Sequence, residues 1–171
     1  HCNSRCTDFA VAHITDLGFF IPSKLLFCPF HTSVQSAGSC FFTVVGMQIA
    51  INPSPFDEKL SKVDMSKIGI FLLNEVEGEQ VTGHDDPDYI IANLLGLYPD
   101  AKIVLTLGKN GAVYADKNQK HYQPIFKVQA VDTTAAGDTF TGYFLNGLLE
   151  GMQPLEIMSM AAKASAIAVS K

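Results

Sequence analysis

The sequence predicts an α/β domain built on a mostly parallel central sheet flanked by helices. Three observations carry that expectation. Apolar runs of strand length recur from about Met47 onward, helical patterns of apolar residues lie between some of them, and the breaks fall at Gly, Pro, Asn and Asp. A length of 171 residues suits one ordinary domain with a real core. With 47% hydrophobic and 17% charged residues, the chain is a rather apolar globule and not a disordered segment.

The elements follow in order. Gln48–Asn52 is a short apolar strand ended by the turn Pro53-Ser54-Pro55, and Ile68–Leu73 is a second buried strand ending at Asn74. Asp86-Pro87 opens a helix with Ile90, Ile91, Leu94, Leu95 and Leu97 on one side, Pro87 suiting its first turn. Lys102–Leu107 is a third strand stopped by Gly108. Ala112–Ala115 and His121-Tyr122 form a hairpin around Asp116–Asn118. Phe126–Val131 alternates as a strand and runs into Asp132. A helix begins at Gly137-Asp138, with Phe140, Tyr143, Phe144, Leu148 and Leu149 as its apolar face. Gly151 stops it, and Pro154 starts an Ala-rich helix running toward Lys171.

Residues 1–46 break this rhythm, which divides the chain into an atypical N-terminal segment of unclear origin and a regular portion, 47–171. The first segment is rich in Cys, Phe and Ser and shows no clear strand-helix alternation. All four cysteines (Cys2, Cys6, Cys28, Cys40) lie there, near His1, His13 and His31. Their spacing matches neither a zinc pattern nor a disulfide framework, and ordinary thiols are the expectation. The formal net charge is -5 and no Lys/Arg stripe forms, so no nucleic-acid partner is expected. No apolar run is long enough to cross a membrane and no ordered leader pattern opens the chain, so no membrane role is expected and the cytoplasm is the default location.

The chemistry concentrates in Ala135-Ala136-Gly137-Asp138. Small residues that end a strand and open a helix leave several backbone N–H groups pointing outward, and the helix dipole favours an anion there. A carboxylate in the first turn can take the proton of an attacking hydroxyl. By spacing alone, Asp138 reads equally as a helix cap. Asn74-Glu75-Val76-Glu77 sets an amide three residues before a carboxylate, an arrangement suited to a hydrated Mg²⁺. Glu77 alone reads equally as a solvated helix residue. Thr106-Leu107-Gly108-Lys109-Asn110-Gly111 places glycines after a strand, either a phosphate-approach loop or an ordinary turn.

Together these segments resemble the ribokinase (PfkB) carbohydrate kinase family. Asp132–Gly142 is similar to its D-T-x-[GA]-A-G-D-x-F signature, Asn74–Glu77 to its N-x-x-E motif, and Thr106–Gly111 to its T-x-G-x-x-G loop, in the family's order. The resemblance implies a ribokinase-like fold and ATP-dependent transfer of the γ-phosphate to the primary hydroxyl of a small sugar. It implies Asp138 as catalytic base, and Ala135, Ala136 and Gly137 as the anion hole. Asn74, Glu77, Thr106, Gly108 and Gly111 would surround the nucleotide, with Glu77 organising Mg²⁺ through water. Asp132 and the Thr134 carbonyl would help hold a monovalent cation, K⁺; Asp132 also reads as an Asx turn. His84 and His121 read as surface residues.

The resemblance covers about residues 47–171, the C-terminal half of a family member. The sugar-binding Asp, Gly-Gly motif and β-sheet lid of the other half have no counterpart in residues 1–46. The expectation is therefore a truncated or rearranged kinase whose sugar stays open. The alternatives are a non-catalytic nucleotide-binding module derived from such a kinase, or a plain α/β domain with a fortuitous motif. Apolar strand edges exposed by such a cut would invite association, a homodimer being its simplest form.

Overall fold

The structure, a computed structural model of the chain, describes residues 9–13, 25–29, 48–53 and 64–170. Its strands are β1 (Phe9–His13), β2 (Leu25–Pro29), β3 (Gln48–Asn52), β4 (Ile68–Asn74), β5 (Lys102–Thr106), β6 (Ala112–Ala115) and β7 (Lys120–Gln123). They form one sheet in the order β2-β1-β3-β4-β5-β6-β7. The five strands from β2 to β5 are parallel, and β6 and β7 add an antiparallel hairpin. The helices are α1 (Glu75–Thr82), α2 (Pro87–Leu97), α3 (Ala136–Leu149) and α4 (Pro154–Val169).

A parallel sheet needs a cover on both faces, and the strand period supplies two apolar sides. Ile70 and Leu72 of β4 join Val104, Tyr114 and Ala50 under Phe140, Phe144, Ile157 and Met158 of α3 and α4. Phe71 and Leu73 face the other way, with Ile103, Leu105 and Val113, under Ile90, Ile91 and Leu94 of α2. Ile70, Ile90, Leu94, Ile103, Phe144 and Ile157 are wholly buried, each contributing about 1.5–3 kcal/mol. The helix starts follow the sequence: Asp86 Oδ1 caps α2 by accepting from Tyr89 N at 2.8 Å, ahead of Pro87, and Pro154 opens α4.

Four expectations are corrected. Phe126–Val131 is not a strand: residues 124–130 carry no regular structure, and Val131 N donates instead to Val169 O at 2.7 Å. Leu97 is 63% exposed at the last residue of α2, where the helix runs past the sheet. Tyr143 is 48% exposed, one residue before the buried Phe144 and so turned off the core face. In the N-terminal stretch that lacked a strand rhythm, Phe9–His13 and Leu25–Pro29 extend the sheet. Each is only five residues long, with no helical pattern between them to suggest the parallel pairing of β1 with β2 and β3. The turn at Ser54-Pro55, the cysteine and histidine side chains before residue 47, and Lys171 lie outside the described residues. Among those residues no helix is long and apolar enough to cross a membrane.

Candidate functional site

Parallel strands end at a common edge, and each apolar run here closes on a polar residue: Asn52 on β3, Asn74 on β4, Thr106 on β5. Asn74 and Thr106 are register partners. Ligands of open α/β sheets bind outside this carboxyl edge.

Asn74 and Glu77 form a reciprocal capping box at the start of α1. Asn74 Oδ1 accepts from Glu77 N at 2.8 Å, and Glu77 Oε2 accepts from Asn74 N at 2.9 Å. Glu77 is buried at 5% exposure and is not a solvated helix residue. Its Oε1 has no hydrogen-bond partner among the described residues.

Beyond β5, Gly108–Asn110 makes a single 3-10 turn, closed by Leu107 N donating to Gly111 O at 2.8 Å. Gly108 has φ +50° and Gly111 has φ +95°. A Cβ on Gly111 would lie 2.3 Å from Gln123 O, so the loop requires glycine there both for its dihedral and for its close approach to β7. Thr106 Oγ1 donates to Leu73 O at 3.3 Å, tying the loop's root to β4.

The loop before α3 is fixed at both ends. Val131 N and Asp132 N donate to Val169 O at 2.7 and 3.3 Å. Asp132 Oδ1 accepts from Thr134 N at 2.8 Å and from Thr134 Oγ1 at 2.6 Å, the Asx turn that the sequence allowed. These two bonds hold the Asp132 carboxyl below its ordinary pKa, the hydroxyl contributing more than the N–H. The helix N-cap is Ala135, without a side-chain bond, so Asp138 sits in the first turn and does not cap the helix. Ala136 N donates to Thr133 O at 3.2 Å, while the N–H groups of Ala135 and Gly137 have no acceptor among the described residues. Ser165 Oγ donates to Ala136 O at 2.9 Å, seating this turn on α4.

Two cavities meet at this turn. A polar cavity of about 260 Å³ is lined by Asn52, Asn74, Glu77, Thr106, Thr134, Gly137, Asp138 and Thr141, with Leu72, Leu73 and Val104 as its floor. A larger, mainly apolar one of about 510 Å³ includes Thr106, Gly108, Lys109, Gly111, Ala136 and Gly137 among its walls, with Ile125, Phe126 and Val128 opposite. Thr106 and Gly137 belong to both. Among the described residues, the polar cavity holds two carboxylates and no Lys or Arg, and the apolar one has a single cation, Lys109. Of the sequence-predicted residues, Ala135 and Asp132 line neither cavity.

Sequence reasoning missed Asn52, Thr141 and the 125–128 wall. Thr141 could have been found, because it lies one helical turn after Asp138 on the same face. The expected surface histidines behave differently: His84 is exposed against Tyr89, with ring centres 3.8 Å apart, and His121 is half-buried beside Gln119. Among the described residues no group of three or more His, Cys, Asp and Glu is clustered to hold a metal by itself.

Residues 35–171 match the family described as pfkB family carbohydrate kinase. A ribokinase of Staphylococcus aureus (strain COL) is 34% identical over 136 residues, covering 74% of this chain and 43% of that protein. A ribokinase of Haemophilus influenzae is 37% identical over 130 residues, covering 74% of this chain and 42% of that protein. The chain thus spans less than half the length of these curated relatives. A solved ribokinase structure from Thermotoga maritima superposes with a TM-score of 0.71 at 25% identity, covering 96% of this chain and 50% of that one.

Proposed function

Because this chain belongs to the pfkB family of carbohydrate kinases and has the ribokinase-like fold, we propose that it serves ATP-dependent transfer of a phosphoryl group to the primary hydroxyl of a small sugar. The observation that carries the reading is the pair of cavities joined at Thr106 and Gly137. An apolar groove fits a purine and ribose, and the adjoining polar cavity holds the carboxylate that the chemistry needs. A phosphate chain running from one to the other passes the N–H groups at the start of α3.

Each residue then has a role. Asp138 takes the proton from the attacking sugar hydroxyl as the new O–P bond forms to the γ-phosphorus and the bond to the ADP oxygen breaks. The N–H groups of Ala135 and Gly137 face the charge that gathers on the phosphoryl oxygens. Ala136, whose N–H is engaged by Thr133, contributes its small side chain, which lets phosphate come close to the backbone. Gly108 and Gly111 shape the loop over the nucleotide, and Lys109 supplies positive charge beside it.

Among the described residues the polar cavity has two carboxylates and no basic side chain, a lining that repels a polyphosphate unless a divalent cation accompanies it. The donor set fits hydrated Mg²⁺: Glu77 Oε1 has no donor among the described residues, and Mg²⁺ keeps most of its waters. Mg²⁺ bound there would neutralise phosphate charge. Asp132 and Thr134, bound to each other, offer oxygen ligands for K⁺ beside the turn. We place the protein in the cytoplasm and leave the sugar open among pentoses and hexoses.

The test is turnover of the purified chain with ATP, Mg²⁺, K⁺ and a pentose and hexose panel. Asp138→Ala should lower turnover at least ~10²-fold while calorimetric ATP binding persists. Turnover that survives the substitution would show that Asp138 is not the base.

A further inference from the structure

Asn52 is the polar residue that ends β3, and β3 runs parallel to β4 with Ile51 opposite Phe71. This brings Asn52 into the polar cavity beside Leu72, on the wall shared with Asn74 and Glu77. Its Oδ1 is buried and has no hydrogen-bond partner among the described residues. An amide oxygen left unpaired away from water costs about 1–3 kcal/mol, and native structures leave few such atoms. A leucine would fill the same position at the end of an apolar strand without that cost.

The missing donor can be narrowed by chemistry. Glu77 and Asp138, when ionised, accept only; among the described residues no Lys or Arg lines this cavity, and none of its hydroxyls or amides (Thr106, Thr134, Thr141, Asn74) donates to Asn52 Oδ1. Ionised phosphate oxygens also only accept. What remains is an O–H from outside the protein, a solvent water in the empty cavity and a group of the ligand once it is filled. We propose that Asn52 is a ligand-contacting residue of the transfer cavity, its Oδ1 accepting a hydrogen bond from an O–H of the reacting complex. Two species carry such a group, a water in the shell of the divalent cation and the hydroxyl of the acceptor sugar. The inference rests on the kinase reading above.

The experiment compares wild type with Asn52→Leu, which removes the amide, and Asn52→Asp, which keeps an acceptor of the same size. Calorimetry measures ATP binding across a Mg²⁺ titration, with an EDTA control, and separately measures affinity for the best sugar of the panel. If the donor is a cation-bound water, Asn52→Leu raises the Mg²⁺ needed for half-maximal ATP binding about 10- to 100-fold. Asn52→Asp restores or lowers it, and sugar affinity holds. If the donor is the acceptor hydroxyl, sugar affinity falls and the Mg²⁺ requirement holds.

Should the leucine variant fail to fold, Asn52→Asp decides alone, since a charge placed beside the cation or the hydroxyl shifts one of the two measurements. Wild-type ATP binding with neither measurement shifted in a folded variant overturns the inference and leaves the kinase reading standing. A wild-type chain that binds no nucleotide ends both.

Discussion

Gly111→Ala tests the loop after β5 at its most demanding point. Gly111 has φ +95° and ψ -143°, a region essentially reserved for glycine, where an L side chain costs about 1–3 kcal/mol. The added Cβ would also stand 2.3 Å from Gln123 O and 3.1 Å from Pro124 Cα, against 3.4 Å for ordinary contact. Relieving about 1 Å of overlap against backbone adds a further ~1–3 kcal/mol. The sum, about 2–6 kcal/mol, corresponds to a fall in Tm of about 4–24 °C for a chain of this size. Gly108→Ala is the control: φ is +50° and the nearest atom to its Cβ is Glu75 Oε2 at 4.0 Å. That leaves a left-handed penalty of about 1–2 kcal/mol, or ~2–8 °C. Thermal unfolding followed by circular dichroism reads both. Equal shifts for the two variants, or a shift under about 2 °C for Gly111→Ala, would refute the loop geometry.

Two further outcomes follow from bonds at the site. Glu77→Gln keeps an oxygen that can accept from Asn74 N, so stability should stay within ~0.5 kcal/mol of wild type, or about 1–2 °C in Tm; the Mg²⁺ requirement for ATP binding should nevertheless rise, and an unchanged requirement would confine Glu77 to capping. Asp132 has its folded pKa depressed below the ordinary 3.8 by Thr134; its stabilising contribution is therefore present above that value and is lost as pH falls through the folded pKa. Asp132→Asn should flatten the acid limb of a urea-midpoint profile taken from pH 5 to pH 2, and a limb parallel to wild type would contradict this.

Much of the molecule is legible without coordinates, because its local rules agree. Asp86-Pro87 and Pro154 mark helix starts by removing or satisfying first-turn N–H groups, and the apolar runs ending at Asn52, Asn74 and Thr106 have the length of buried strands. Phe126–Val131 shows where that logic fails. Its alternation is as regular as a strand's, but a strand also needs a partner edge, and this segment instead lies across the apolar cavity and bonds the end of α4. The N-x-x-E pattern was legible as a spacing and not as a structure: an amide and a carboxylate three residues apart also make a reciprocal cap, which buries Glu77 and fixes one of its oxygens. Asn52 carried no motif. Only the sheet register shows that it shares a cavity with Asp138, which lies far along the chain. Asp138 itself is sharpened by the coordinates, since Ala135 takes the cap position that spacing had left open to it.

The single carbonyl of Val169 accepts both Val131 N and Asp132 N, joining the last turn of α4 to the loop that opens α3. Helix ends fray faster than helix centres, so the loop is only as steady as the C-terminal turn that holds it. Fraying at residue 169 would let water reach two amides nearly forty positions earlier, and would loosen the approach to Ala135 and Gly137 without touching either. The exchange protection of those two amides is thus a remote reporter of how firmly the end of α4 is seated.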